Sequence, residues 1–144
     1  MKLFDNDYVT LSLDEGVPCL EWIGKGFMPS EAFRASEEKS LQFYLQYKGK
    51  YPRLEWFVDV RNIGPISPQD THWAADEILP KFVTAGLTKE AFVVPTSSVV
   101  RLVVKNYASQ AGKRVRIRAF ETAGEAKLWL GVTTTKLVHK PLEL

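Results

Sequence analysis

The histidine, cysteine and acidic side chains of this chain do not combine into a familiar reactive group. A metal site needs several convergent nitrogen, sulfur or carboxylate ligands, but His72 and His139 are far apart and Cys19 is the single cysteine. Asp59 ends a predicted strand, which is the best position for a catalytic carboxylate, yet no partner acid or histidine accompanies it. We therefore predict no catalytic residues, no metal and no cofactor, and a protein that is not an enzyme.

Glycine and hydroxyl residues give one candidate anion site. Gly24-Lys25-Gly26 lacks both the Walker and the dinucleotide patterns, so it is predicted to be a turn. Thr96, Ser97 and Ser98 follow a predicted strand and open a predicted helix, where backbone N–H groups and hydroxyls can hold an anion. Redundant N-capping accounts for the same three residues, and both interpretations stay open.

Composition narrows the class of protein. The chain has 144 residues, of which 45% are hydrophobic and 25% charged, and this suits one folded domain. A net charge of +2 does not indicate a nucleic-acid partner. No apolar run approaches the roughly 18 residues of a membrane span, and no signal peptide is evident. Because a lone cysteine allows no internal disulfide, we expect a cytoplasmic protein.

Hydrophobic periodicity predicts an alternation of strands and helices. The predicted strands cover residues 8–13, 17–23, 54–60, 91–94 and 114–120, and the predicted helices cover 30–49, 67–86, 97–111 and 122–131. This order, β-β-α-β-α-β-α-β-α, predicts an α/β domain with an N-terminal β-hairpin, later parallel strands and helices mainly on one face of one mixed sheet. We expect a single domain over residues 1–131 and a tail of unassigned structure over 132–144.

Side-chain types predict several local features. Ser30 and Ser67 are expected to be N-caps, and Pro80 is expected to kink or interrupt the helix that Ser67 opens. Trp56 and Val58 lie in the most apolar strand and are predicted to be core residues. The remaining predicted core positions on the first and third helices are Phe33, Leu41, Tyr44, Leu45, Val99, Leu102, Val103 and Tyr107.

Three local sequences carry a resemblance to a known family. Trp22-Ile23-Gly24 closes the second predicted strand, Val58-Asp59-Val60-Arg61 closes the third, and Ile66-Ser67-Pro68-Gln69-Asp70 opens the next helix. Further matching residues are Trp73, Pro80, Pro95, Phe120, Ala126, Trp129 and Leu130. Over about residues 8–130 the chain resembles the SpoIIAA-like, or STAS-type, domains. It looks most like the small stand-alone bacterial proteins of that group, which are sometimes called STAS/SEC14-like and mostly have unknown roles.

The resemblance implies a SpoIIAA-like fold and a non-catalytic binding or regulatory module that acts through protein contacts or self-association. In regulatory STAS domains the corresponding helix start carries a serine, typically within Asp-Ser-Ser-Gly, that a partner kinase phosphorylates. Ser67 stands at that place and is the phosphorylation position that the resemblance implies. Here a proline follows the serine and the glycine is absent, so an ordinary N-cap is the interpretation that the residues themselves favour.

The family's lipid-binding relatives imply an alternative, which is a protein that binds a small apolar or anionic, lipid-like ligand between the sheet and the helices. A pocket lined by Trp22, Trp56 or Trp73 would favour this alternative, and a solid core there would favour protein contacts.

Two surface features predict where a protein partner or a second copy would bind. Phe43 and Tyr47 lie one turn apart on the first helix and exceed what a single buried stripe needs, so we expect them in a homodimer or partner interface. Arg114, Arg116 and Arg118 alternate with apolar residues on the last strand and could meet an acidic partner. Their alternative role is to protect an edge strand from pairing with another chain.

Overall fold

Six strands form one sheet in the computed structural model, which describes residues 1–96 and 98–132. The strands are β1 (Lys2–Asp5), β2 (Val9–Asp14), β3 (Cys19–Gly24), β4 (Glu55–Asp59), β5 (Lys89–Val93) and β6 (Arg116–Phe120). They lie side by side in chain order, with β1 to β3 antiparallel and β3 to β6 parallel. This arrangement confirms the predicted α/β class, its initial hairpin and its parallel later strands. The predicted tail lies outside the described residues beyond Val132.

The helices cover the two faces of the sheet unequally. They are α1 (Ser30–Lys48), α2 (Pro68–Trp73), α3 (Leu79–Thr84), α4 (Ser98–Ala111) and α5 (Ala123–Gly131), with a π-helical segment (Ala74–Ile78) between α2 and α3. Helices α1 to α4 share the larger core with one face of the sheet. Helix α5 packs Trp129 and Leu130 against Phe57 on the opposite face. The prediction of helices mainly on one face is confirmed, and α5 is the exception.

The first strand was not predicted. β1 pairs with β2 and rests Leu3 and Phe4, both half-buried, against the core. The alternation of polar and apolar residues that predicts a strand is weak here, because β1 is only four residues long and begins and ends with charged residues, Lys2 and Asp5. The predicted hairpin of β2 and β3 is therefore part of a three-stranded antiparallel unit that also includes β1.

Proline shapes the second helical region as expected. The hydroxyl of Ser67 accepts a hydrogen bond from the Asp70 N–H at 3.1 Å, and Pro68 occupies the first helical position, which confirms the N-cap. Pro80 has no N–H to donate to the preceding turn. Just before it, the Leu79 N–H donates to the Ala74 carbonyl five residues earlier, so the helix widens into a π-helical segment.

The buried faces of α1 and α4 differ from those predicted. Phe33 and Tyr44 are buried as predicted, but Leu41 is half-buried and Leu45 is exposed. The rest of the inner face of α1 is formed by Ser36, Glu37 and Ser40. On α4, Val99 and Leu102 are exposed, while the buried positions are Val100, Val104, Tyr107 and Ala111. Tyr107 is buried as predicted. From Val99 to Val104, α4 is apolar except at Arg101, so periodicity did not separate Val99 and Leu102 from the buried Val100 and Val104.

Ser30 is not an N-cap, because α1 already begins there and Pro29 precedes it as the capping position. Its hydroxyl donates instead to Asp70 at 2.8 Å, which joins α1 to α2. Arg34 donates to the same carboxylate oxygen at 2.8 Å. Burial disfavours the charge of Asp70, but these hydrogen bonds outweigh that penalty and lower the pKa of the carboxyl.

Trp56 and Val58 are core residues, as predicted, with exposed fractions of 1% and 5%. The indole of Trp56 stacks on the ring of Phe82, with the ring centres 4.1 Å apart and the planes 10° from parallel. Within the described residues the indole N–H has no hydrogen-bond partner. The contribution of Trp56 therefore comes from packing.

We predict that Trp56→Ala lowers the free energy of unfolding by about 3–5 kcal/mol, because it leaves a cavity beside Phe82. Trp56→Phe should cost less than half as much, since it keeps a stacked ring, leaves a smaller cavity and removes an N–H that has no partner. Urea denaturation measures both. An alanine variant as stable as the phenylalanine variant would contradict the packing role.

Candidate ligand-binding cavity

A cavity of about 50 Å³ lies between the sheet and helices α1, α2 and α4. Most of its lining is aliphatic or aromatic, including Trp22, Phe33, Val58, Phe92 and Val104. Ile63, Ile66 and Val103 also line it and are only half-buried. The cavity therefore approaches the surface between the loop after β4 and helix α4.

The polar group contributed by α1 is the carboxyl of Glu37. Glu37 lines the cavity from the middle of the helix and is buried, and its Oε2 has no hydrogen-bond partner among the described residues. Burial raises the pKa of Glu37 to about 8 because the surroundings solvate a carboxylate poorly. At neutral pH the side chain is therefore mostly a neutral acid that points a free oxygen into apolar space.

Strand β5 contributes a second carboxyl, Glu90, to the same cavity. The Tyr107 hydroxyl, on α4, donates to Glu90 Oε1 at 2.8 Å. Burial raises the pKa of Glu90 well above its usual range, the nearby Glu37 raises it further, and the hydrogen bond from Tyr107 only partly opposes this. Burial and the two carboxyls also raise the pKa of Tyr107. All three shifts disfavour the ionised form of the group concerned.

The cavity has no basic group among the described residues that line it. Its polar atoms belong to Glu37, Glu90, Tyr107 and Thr71. These groups can hydrogen-bond a neutral polar head or, by losing a proton, pair with a cation. Two acids in apolar surroundings disfavour an anionic ligand.

The three tryptophans expected to mark a pocket have different environments. Trp22 lines the cavity, and its indole N–H donates to Ser36 Oγ at 2.9 Å, which fixes the ring beside α1. Trp73 is half-buried and meets the ring of Phe33 edge-on, with centres 6.4 Å apart. Trp56 is enclosed against Phe82. The cavity against Trp22 is therefore a pocket of the kind that favours the small-ligand alternative.

Asp59 and His72 lie outside the cavity. Asp59 accepts hydrogen bonds from the backbone N–H of Arg61 at 3.1 Å and from its guanidinium at 2.8 Å. The carboxylate thus orders the loop that follows β4. His72 is exposed and contacts Asp76 and Gln110 at 2.9 and 3.2 Å.

Cys19 belongs to the group of acidic and sulfur side chains that comes closest to a metal site. Asp14, Cys19 and Glu21 offer ligand atoms within 4.8 Å of one another. The ammonium of Lys127, however, contacts Asp14 at 2.8 Å and Glu21 at 2.6 Å, so a cationic group already occupies this place. Burial raises the pKa of the Cys19 thiol, which keeps it protonated and a poor ligand or nucleophile.

The remaining predicted site residues are placed as follows. Ser67 is exposed at the start of α2, with its hydroxyl engaged as the N-cap. Thr96 is exposed before α4, whereas Ser97 and the side chain of Ser98 lie outside what the structure describes. The described residues therefore do not define the geometry of the candidate anion site at Thr96, Ser97 and Ser98.

The predicted interface residues lie on two separate elements. Phe43 and Tyr47 are half-buried and pack against the protein's own core from α1. Arg116 and Arg118 are exposed on the edge strand β6. Arg114 precedes that strand and reaches the Ala75 carbonyl at 3.5 Å, so the predicted row of three arginines is a row of two.

Sequence reasoning missed Glu37 and Glu90, although a signal for the first was present. Phe33 and Tyr44 are eleven residues apart, which is three helical turns, and Glu37 and Ser40 fall between them on the same face. Glu90 precedes an apolar run that was predicted to start at Ala91, whereas β5 begins at Lys89. Charged residues at a strand's start look like loop residues when the tertiary context is missing.

Comparison with family models, with curated proteins and with solved structures gives no match for this chain. Over residues 1–96 and 98–132, no helix has both the length and the apolar character that crossing a membrane requires.

We predict that Glu37 makes the protein less stable as the pH rises. The folded state keeps a proton up to about pH 8, whereas the unfolded chain loses it near the ordinary value of 4.5. Between these values the free energy of unfolding should fall by up to about 1.4 kcal/mol per pH unit on account of Glu37 alone. Glu37→Gln, which cannot ionise, should make the decline shallower in urea denaturation between pH 5 and 8.

Glu38→Gln is the matched control, because Glu38 is the exposed neighbour on the same helix. If the two glutamine variants decline equally with pH, Glu37 does not carry the raised pKa.

Proposed function

We propose that this protein is a non-catalytic binding module that holds a small, mostly apolar molecule in the cavity between the sheet and α1, α2 and α4. The observation that carries the proposal is the pair of buried acids, Glu37 and Glu90, that line an otherwise apolar cavity. Buried polar groups in proteins almost always have a partner. The free oxygen of Glu37 is therefore best explained by a ligand that supplies one.

Binding accounts for the acid pair better than catalysis does. A general base must be ionised near the working pH. Burial raises the pKa of both Glu37 and Glu90, which disfavours the ionised form that a base needs. Apolar walls with a few convergent polar groups are typical of small-molecule sites.

The resemblance to STAS-type domains agrees with this proposal at the level of fold, since the chain has one mixed sheet with alternating strands and helices. We extend the proposal to a cytoplasmic location, which a single, free and buried cysteine supports.

A second candidate function is a protein contact or homodimer, as the family resemblance implies. Its support is the exposed pair Arg116 and Arg118 on the edge strand β6, which presents two fork-shaped cationic groups to an acidic surface. The aromatic pair Phe43 and Tyr47 supports it less strongly, because both rings already pack against their own core. A regulatory phosphorylation of Ser67 belongs to this candidate and depends on a partner kinase.

Native mass spectrometry of protein taken directly from a cell extract tests both candidates, since it reports bound mass and oligomeric state together. The small-ligand proposal predicts a monomer that carries a small-molecule adduct. Val103→Phe should remove the adduct, because the larger ring fills the mouth of the cavity beside Ile66.

Val99→Phe is the matched control, since Val99 is exposed one turn earlier on α4 and does not line the cavity. It should retain the adduct. An adduct that survives Val103→Phe, or a ligand-free dimer in every sample, would contradict the small-ligand proposal, and the dimer would support the second candidate.

A further inference from the structure

We propose that the cavity recognises a primary amine, whose ammonium group binds between the carboxyls of Glu37 and Glu90 while its apolar tail lies along the mouth of the cavity. This inference rests on the proposed small-ligand function and names the chemical class of the ligand.

The acceptors around the cavity suit the three N–H donors of an ammonium group. Glu37 offers Oε2, which is free of any hydrogen bond in the described part of the chain. Glu90 uses Oε1 to accept from Tyr107 and has a second oxygen. Thr71 lines the same cavity, and its hydroxyl, which donates to the Ser67 carbonyl at 3.0 Å, keeps lone pairs that make it a third acceptor. The walls are otherwise apolar and cannot supply the six or more oxygens that a calcium ion prefers, so an organic cation fits better than that metal ion.

Charge favours the same ligand. Glu37 faces Glu90 from β5 and Tyr107 from α4, both acidic groups. Strands β3 and β4 present Trp22 and Val58, and Val60 follows β4. Helix α2 presents Thr71, and the π-helical segment presents Ala74; none of these residues is basic. The described part of the enclosure thus brings acids together without a cation. An ammonium group supplies the missing positive charge, whereas a carboxylate or phosphate head would meet only acids and apolar walls.

Binding must release a proton. The ligand enters as R–NH₃⁺ and keeps its three protons, Glu37 loses its proton to solvent, and the resulting carboxylate pairs with the ammonium. Because burial holds the pKa of Glu37 at about 8, the apparent affinity should rise about tenfold per pH unit below that value and level off above it.

The size of the cavity limits what is enclosed. About 50 Å³ accommodates the amine head and the first few atoms attached to it. The rest of the bound ligand must extend out of the cavity past Ile66 and Val103, which are half-buried at its mouth.

The test compares hexylamine, hexan-1-ol and hexanoate, which share a six-carbon chain and differ in the head group. Calorimetric titration at pH 7 should give hexylamine at least tenfold tighter binding than hexan-1-ol, and no detectable binding of hexanoate. Repeating the hexylamine titration in buffers of different ionisation enthalpy should show release of close to one proton per ligand.

Glu37→Gln should weaken hexylamine at least tenfold and abolish proton release, while hexan-1-ol changes less than twofold. Glu38→Gln, the exposed neighbour, should leave all three ligands unchanged. Hexan-1-ol binding as tightly as hexylamine, or a Glu37→Gln variant that keeps its amine affinity, overturns the amine assignment and leaves the small-ligand function standing. Failure of both hexylamine and hexan-1-ol to bind, together with a ligand-free native mass spectrum, overturns both proposals.

Discussion

Two carboxyl groups share an apolar enclosure without a basic partner, and the larger core is arranged around that constraint. A carboxylate in such a place is costly, so the acids remain protonated or must find a cation. Elsewhere in the described structure, buried charge is compensated. Asp70 accepts from Arg34 and Ser30, and Asp59 accepts from Arg61. Against this background the free oxygen of Glu37 is an exception that a ligand would explain.

The opposite face of the sheet shows how the same chain treats a buried cation. Lys89 is buried at the start of β5, and its ammonium donates to the carbonyls of Trp129 and Val132 at the end of α5. The side chain thereby anchors that helix and satisfies its last carbonyls. Desolvation lowers the pKa of Lys89, with Arg116 adding to the effect, and two backbone carbonyls accept hydrogen bonds from its ammonium. One face of the sheet thus contains a buried ammonium that donates to two carbonyls, and the other contains a carboxyl oxygen that has no hydrogen-bond partner among the described residues.

The sequence was sufficient to predict features that depend on local chemistry. Ser67 as an N-cap, the interruption before Pro80 and the burial of Trp56 follow from hydrogen-bonding capacity, a missing N–H and strand composition. The sequence was insufficient to predict which side of a helix is buried where apolar residues lie on more than one side. Leu45 was predicted to be buried because it is apolar, and Glu37 was overlooked because it is charged, although the helical spacing from Phe33 to Tyr44 places Glu37 on the inner face.

The candidate site was missed for a related reason. Its two acids are far apart in the chain, on α1 and β5, and only the parallel packing of β3, β4 and β5 beneath α1 brings them to one cavity. Nothing in the sequence around Glu37 marks it as a partner of Glu90. The expectation of a pocket against Trp22 came from a family resemblance, whereas the acids that give this pocket its chemistry became evident only from the tertiary structure.

The central claim is that Glu37 is a neutral acid in the cavity at pH 7. The direct measurement is a ¹³C NMR titration of the glutamate side-chain carboxyl signals from pH 4 to 10, with the Glu37 signal assigned by its absence in Glu37→Gln. The account predicts a midpoint near pH 8 for Glu37, well above that of exposed glutamates. A midpoint near the ordinary value of 4.5 would show that the carboxyl is ionised and solvated at pH 7, and the account would be wrong.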